Sequence, residues 1–172
     1  ICGFKRSFFG MQPHISFLLP TRGRSKTLQG LLDSVVATTA FPAHLEIILV
    51  LDRDDTDGPD ECDAPFILRR VVVDPGLPMG ALNMAAYRAS SGRYVMLMND
   101  DIILRTPQWD RLVRETFAAW GDDVGLVHVN DLLFRETLCT FPLLSRAACE
   151  EAGLCPEAYR RYLIDDHITE IY

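Results

Sequence analysis

No apolar run among the 172 residues approaches the roughly 20 needed to cross a bilayer as a helix. The opening Ile1-Cys2-Gly3-Phe4-Lys5-Arg6 has no signal-peptide layout, and no long apolar segment follows it. An initiator Met is also missing, so the chain reads as a fragment or a trimmed form. Basic residues are scarce: 17 Lys and Arg stand against 24 Asp and Glu, a formal net charge of -7. A nucleic-acid binder would carry a basic face, so that class is excluded, although a local group of arginines could still serve a small anion. The five cysteines (Cys2, Cys62, Cys139, Cys149 and Cys155) form no C-x-x-C pair. An odd count without such a pair points to reduced thiols rather than a disulfide framework or a zinc site. A cytoplasmic setting is expected, with peripheral attachment to a membrane left open. Internal repeats and low-complexity segments are absent.

What is present is ordinary for a globular domain: 48% hydrophobic and 24% charged residues. Residues 1–13, ending in Gln12-Pro13, read as a lead-in of uncertain structure, and 14–172 as one domain. His14–Leu19 is a short strand ended by Pro20. Ser25 serves as N-cap to a helix running to about Thr38, with Leu28, Leu31, Leu32, Val35 and Val36 on one face. Further strands are expected at Glu46–Leu51, Phe66–Val73, Tyr94–Met98, Gly125–Val129 and Thr140–Leu144. Helices are expected at Gly80–Ser90, from Pro107 through Trp120, at Ser145–Ala152 and at Glu157–Leu163. The β-α-β-β-α-β-α-β order implies an α/β domain with a mainly parallel sheet.

The most informative stretch runs from Arg93 to Ile103. Tyr94–Met98 are bulky and mostly apolar, about the length of a strand buried on both faces. Asn99, Asp100 and Asp101 follow, and two carboxylates and an amide belong where the strand emerges. In an open α/β sheet the carboxyl ends of strands bind ligands. Clustered oxygens there suit Mg²⁺ or Mn²⁺ shared with a phosphate; taken alone, they would be an acidic turn. Two other strands end in polar clusters as well, Pro20-Thr21-Arg22-Gly23-Arg24 and Asp52-Arg53-Asp54. In a parallel sheet all three meet at one edge. Arg22 and Arg24 fall beside a helix N-terminus, which already favours anions, while solvated turn arginines are the plain alternative. Asp52–Gly58 invites a calcium-loop reading and fails it. With Gly58 sixth, Arg53 and Ala64 take the first and twelfth places, where carboxylates are required. Asp52 is therefore read as a ligand-facing acid. His14, His44 and His128 have no such company, and Cys149 and Cys155 read as buried thiols.

Taken in order, Leu19-Pro20-Thr21-Arg22-Gly23-Arg24, Val50-Leu51-Asp52-x4-Asp57, Gly80-x2-Asn83 and Leu97-Met98-Asn99-Asp100-Asp101 resemble the family 2 glycosyltransferases with the GT-A fold. The resemblance covers roughly residues 14–172. It implies an α/β three-layer sandwich with a mainly parallel central sheet, and a hexosyltransferase-like enzyme. Pro20, Thr21 and Asp52 would hold the nucleoside of a nucleotide-diphospho-sugar, with Arg22, Arg24 and Asn83 near the donor. Asn99-Asp100-Asp101 matches the family's Asp-x-Asp with Asn in the first place. Asp101 would ligate Mn²⁺ or Mg²⁺, Asn99 would contact the ribose or a bound water, and Asp100 would stand on the donor side. Arg53-Asp54-Asp55 replaces the family's usual Asp-Gly-Ser.

Leu163-Ile164-Asp165-Asp166-His167 resembles the family's Glu-Asp motif. By that resemblance Asp166 is the general base toward an acceptor hydroxyl and Asp165 its neighbour; adjacent carboxylates can split their pKa values. His167 would be a further metal ligand. Family 2 behaviour implies inversion, and the late histidine leaves a retaining course open. The acceptor, whether carbohydrate, lipid or protein, is not specified. Two rival readings remain: a nucleotidyltransferase, for which Thr21–Lys26 is poor in glycine, and a non-catalytic nucleotide-sugar binding module.

Overall fold

The computed structural model describes residues 13–57, 64–121 and 124–172. The expected lead-in apart from Pro13, Gly58, and the cysteines at 2 and 62 lie outside them. Among the described residues, β1 (Ile15–Thr21), β2 (Leu45–Asp52), β3 (Ile67–Val73), β4 (Tyr94–Leu97), β5 (Leu126–Val127) and β6 (Leu143–Ser145) form one sheet. Its order is β3-β2-β1-β4-β6-β5. The first four strands are parallel, whereas β6 runs against β4, and β5 against β6. The helices are α1 (Ser25–Thr38), α2 (Met79–Ala89), α3 (Trp109–Trp120), α4 (Arg146–Ala152) and α5 (Ile164–Ile171).

Period-two alternation in the buried strands sends neighbouring side chains to opposite faces. On one face Phe17, Leu19, Ile47, Leu49 and Met96 pack under α1 and α3. On the other, Leu18, Ile48, Val50, Val95 and Leu97 pack under α2, α4 and α5. Three layers result, because both faces of these strands are apolar and each needs a cover. Two stacked ring pairs hold α3 to the sheet: Phe17 with Trp109 at 5.1 Å and Tyr94 with Phe117 at 4.2 Å between centroids.

One polar knot sits at the amino-terminal side of the sheet. Glu46 is fully buried on β2. Its carboxylate accepts from Ser16 Oγ at 2.6 Å and from the backbone N–H of Gly92 at 3.0 Å and of Ser91. Arg69 Nε on β3 lies 3.4 Å away. Gly92 admits this arrangement: a Cβ there would lie 2.4 Å from Ser16 Oγ. A buried carboxylate is tolerated only when its lone pairs are met in this way.

The topology locates the crevice. α1 carries the chain from β1 to its neighbour β2, whereas α2 carries it from β3 back across to β4, on the other side of β1. The connections that follow β1 and β4 therefore diverge, and a cleft opens beyond their carboxyl ends.

The bounds of α2, β2, β3 and β4 lie within one residue of expectation at either end, and several other expectations need correction. β1 continues through Pro20, because its ladder with β4 ends at Leu18, and Pro20 faces a partner only on β2. Ser25 is not the cap of α1; Arg24 holds that position without a side-chain cap. Helix α3 starts at Trp109, after Gln108 in the left-handed region (φ 56°), rather than at Pro107. Leu112 and Trp120 face solvent on it. β5 and β6 are both shorter than expected, and β6 starts only at Leu143 and ends one residue later, at Ser145. No helix spans 157–163: those residues form turns, Leu163 takes φ 75°, and the helix begins at Ile164.

Candidate functional site

Past the carboxyl ends of β1, β2 and β4 lies a cavity of about 660 Å³, within the range of small-ligand sites. It is lined by Pro20, Thr21, Arg22, Arg24 and Asp52 on one side. Asn99, Asp100 and Asp101 form its floor, and Met79, Leu82 and Asn83 of α2 line another side. Arg160, Arg161, Tyr162 and Asp165 complete the wall. Every expected donor-side residue thus lines one cavity, as the parallel sheet requires.

Thr21 at the end of β1 donates from Oγ1 to Asp100 Oδ2 at 2.6 Å, tying the two diverging strands together across the cleft. Asp100 is 5% exposed. Arg24 Nη1 is 3.0 Å from Asp100 Oδ1 and 3.1 Å from Asp101 Oδ2. One nitrogen therefore bridges both carboxylates, and its hydrogen bond to Asp100, then the charges of Asp100 and Asp101, raise the Arg24 pKa. Asp100 is chiefly a tie between strands, while half of the Asp101 side chain stays open to solvent.

Arg22 is spent in the same manner. It is bidentate to Asp54 at 2.7 and 2.9 Å and also bonds Asp52. The hydrogen bond from Arg22 holds the Asp54 carboxyl below the ordinary range. The loop after β2 has a further task that the sequence did not announce. Asp55 Oδ2 accepts from Gly23 N at 3.0 Å, and Asp57 Oδ2 from Ser25 N at 3.2 Å. Asp57 thereby takes the first N–H of α1 and Asp55 ties the turn before it, both from a distance in sequence.

Asn83 is 4% exposed, and among the described residues its amide makes no hydrogen bond, although it lines the cavity. A buried amide in this position has its donors and acceptor free for a ligand.

The C-terminal wall departs from expectation. Asp165 and Asp166 lie in the first turn of α5. Asp165 lines the cavity, whereas Asp166 is exposed and outside the lining. His167 is also outside it: its Nδ1 lies 3.2 Å from the Tyr159 hydroxyl, with the two rings edge-on. His167 thus stands apart from Asp101, the other expected ligand, and among the described residues no group of three His, Cys, Asp or Glu side chains is placed to hold an ion. Arg160, Arg161 and Tyr162 were missed because the sequence reading placed them inside a helix. No periodicity marks a loop that is held by backbone contacts.

The remaining candidates are structural. Burial pushes the thiol of Cys149 up to about 12 and those of Cys139 and Cys155 up to about 11. His14 and His44 pack edge to face 4.8 Å apart, and burial, then the nearby His44, lowers the His14 pKa.

The six-stranded, mainly parallel sheet covered by helices on both faces is a GT-A fold. The chain belongs to the family described as Glycosyl transferase family 2, whose pattern matches residues 16–129. It is 32% identical over 134 residues to the O-antigen biosynthesis protein RfbC of Myxococcus xanthus, covering 72% of this chain and 10% of that protein. The fold is similar to that of S. aureus TarS 1–349 in complex with UDP, with a TM-score of 0.68 at 16% identity, over 91% of this chain and 54% of that one. It is also similar to the mannosyltransferase PcManGT from Pyrobaculum calidifontis in complex with GDP-Man and Mn²⁺. There the TM-score is 0.67 at 19% identity, over 93% of this chain and 51% of that one. The chain therefore spans about half of these structures and about a tenth of the curated relatives it matches. Among the described residues no helix is long and apolar enough to cross a membrane.

Proposed function

We propose that the cavity binds a nucleotide-diphospho-sugar and that the protein transfers the sugar to an acceptor hydroxyl. The leading support is that Thr21, Asp52, Asn83 and Asn99–Asp101, scattered over 80 positions of sequence, line one cavity at the carboxyl edge of the sheet. Thr21 and Asp52, at the ends of β1 and β2, take the nucleoside, with Pro20 beneath it and the free Asn83 amide beside it. Asn99 takes the ribose.

A divalent cation fits the floor in one respect. The Asp100 and Asp101 carboxylates already converge on a single cationic nitrogen, that of Arg24. Two protein carboxylates with substrate phosphates and waters completing the shell are a usual set for Mg²⁺ or Mn²⁺. Asp101, with Asp100 behind it, would hold the ion, which when bound supplies positive charge against the diphosphate leaving group. His167 is not assigned to it.

The Asp165–Asp166 pair supplies the general base. Asp165 is the member on the cavity wall, and deprotonating the acceptor hydroxyl there directs attack from the side opposite the departing diphosphate, giving inversion. Binding UDP, GDP and dTDP with and without Mn²⁺, followed by calorimetry, tests the donor site. One nucleotide should bind in a metal-dependent way, with affinity falling about tenfold or more in Asp101→Ala. Folded protein that binds none of the three would overturn the reading. Asp165→Asn and Asp166→Asn, assayed for turnover at unchanged donor affinity, identify the base and separate an enzyme from a binding module.

A further inference from the structure

We propose that Arg160 and Arg161, on the segment between α4 and α5, grip the diphosphate of the donor; this rests on the nucleotide-sugar reading above. Two facts of charge and one of construction lead here.

Four arginines line the cavity. Arg22 and Arg24 are already held by Asp52, Asp54, Asp100 and Asp101. Among the described residues neither Arg160 nor Arg161 makes an ion pair, and both are exposed at the cavity wall. They are the cations with charge to spare. An anion usually has a second option, the free N–H groups of a helix N-terminus. Here the first N–H of each nearby helix is already taken. At α1 Asp57 takes that of Ser25, and Asp55 takes that of Gly23 just before the helix. At α2 the N–H groups of Met79 and Gly80 donate to the carbonyls of Arg160 and Tyr159, at 3.0 and 2.8 Å.

Those same two bonds build the arginine segment into the site. Gly80 lets the backbone come this close: a Cβ on it would lie 2.1 Å from the Pro156 carbonyl oxygen. An ion pair between Arg88 of α2 and Glu157 fastens the outer side. The segment is thereby seated on α2, over the half of the sheet that carries the nucleoside residues, with its two guanidiniums at the cavity. A guanidinium offers a planar fork of donors matched to phosphate oxygens.

The test compares the nucleoside, its monophosphate and its diphosphate, for whichever base binds, by calorimetry in Mn²⁺. Wild type is set against Arg160→Gln/Arg161→Gln and each single change. Wild type should gain strongly from monophosphate to diphosphate. The double variant should lose about tenfold or more of that gain, keep its nucleoside affinity and melting temperature, and show a shallower dependence on salt. A double variant that keeps the diphosphate gain overturns the proposal, including where its only defect is a raised KM for an anionic acceptor. Loss of nucleoside affinity together with the gain also overturns it, since the segment would then be a general support. Wild type that binds no nucleotide at all refutes the donor reading itself, a result distinct from either.

Discussion

The parallel half of the molecule, from β1 through the Asn99–Asp101 turn that follows β4, and the segment beyond it solve the placement of charge differently. In the first half nearly every acid meets a donor from another element: Glu46 with Ser16 and the Ser91–Gly92 turn, Asp100 with Thr21 and Arg24, Asp55 and Asp57 with the start of α1. Beyond that turn, Asp110 and Glu157 are still tied to earlier elements, by the N–H groups of Ala40 and Phe41 and by Arg88. Other acids bond only within their own loop or face the cavity. Asp131 is an example. Burial opposes its ionisation, but bonds from Thr140 and from the N–H groups of Leu133, Phe134 and Arg135 bring its carboxyl down to about 2. The first half is a scaffold whose acids are mostly partnered already, with the Asn83 amide left open to the cavity. The second brings groups to the cavity that are not: Arg160, Arg161 and Asp165.

If that contrast is right, the largest loss of stability comes from the buried knot of the first half. Glu46→Ala leaves Ser16 Oγ and the Gly92 N–H with fewer partners in a fully buried place and removes the counter-charge of Arg69. A cost of about 3 kcal/mol is expected, read as a lower urea midpoint at an unchanged slope. A midpoint unmoved within error would remove Glu46 from the scaffold and blur the contrast.

The seam between the halves comes next. Gly80→Ala gains about 1 kcal/mol of helix propensity but drives a Cβ into the backbone of 156–157, where overpacking costs about 1–3 kcal/mol. A net loss near 1 kcal/mol is expected, with faster hydrogen exchange across 153–163 and a smaller diphosphate gain. An increase in stability would mean that the arginine segment is not seated on α2.

The same contrast explains what the sequence disclosed. In the parallel half, strands are unbroken apolar runs and helices have a regular period, so Tyr94–Met98 and Glu46–Leu51 were legible and the edge where Thr21, Asp52 and Asn99 meet followed from topology. Partnerships between distant residues were not legible. Nothing local in Asp55 or Asp57 says that they tie down the start of a helix 30 residues upstream, and Asp100 resembles Asp101 until burial separates them. After β4 the cues are weaker still. Residues 157–163 carry enough helix formers to suggest a helix, but the carbonyls of Tyr159 and Arg160 are claimed by α2, and that claim lies 80 positions away in the chain. This displaced the start of the last helix and, with it, the side on which Asp165, Asp166 and His167 fall.

The smallest effect on stability, and the finest probe of the contrast, is expected at Arg24. Its side chain and that of Asp101 are each about half exposed, so the pair adds little to folding, and Asp100 keeps its bond from Thr21. Arg24→Gln should therefore fold like wild type. Its consequence is electrostatic: the nitrogen that bridges Asp100 and Asp101 is gone, and the two carboxylates regain a charge that only a mobile cation can answer. Mn²⁺ alone, followed by its paramagnetic resonance without nucleotide, should bind the variant several-fold more tightly, in line with the removal of about one competing charge at close range. The gain should shrink at high salt only in part, because Asp100 is buried. Weaker Mn²⁺ binding in Arg24→Gln would show instead that the arginine holds the carboxylates in their converging pose, making it a builder of the cation position and not its rival.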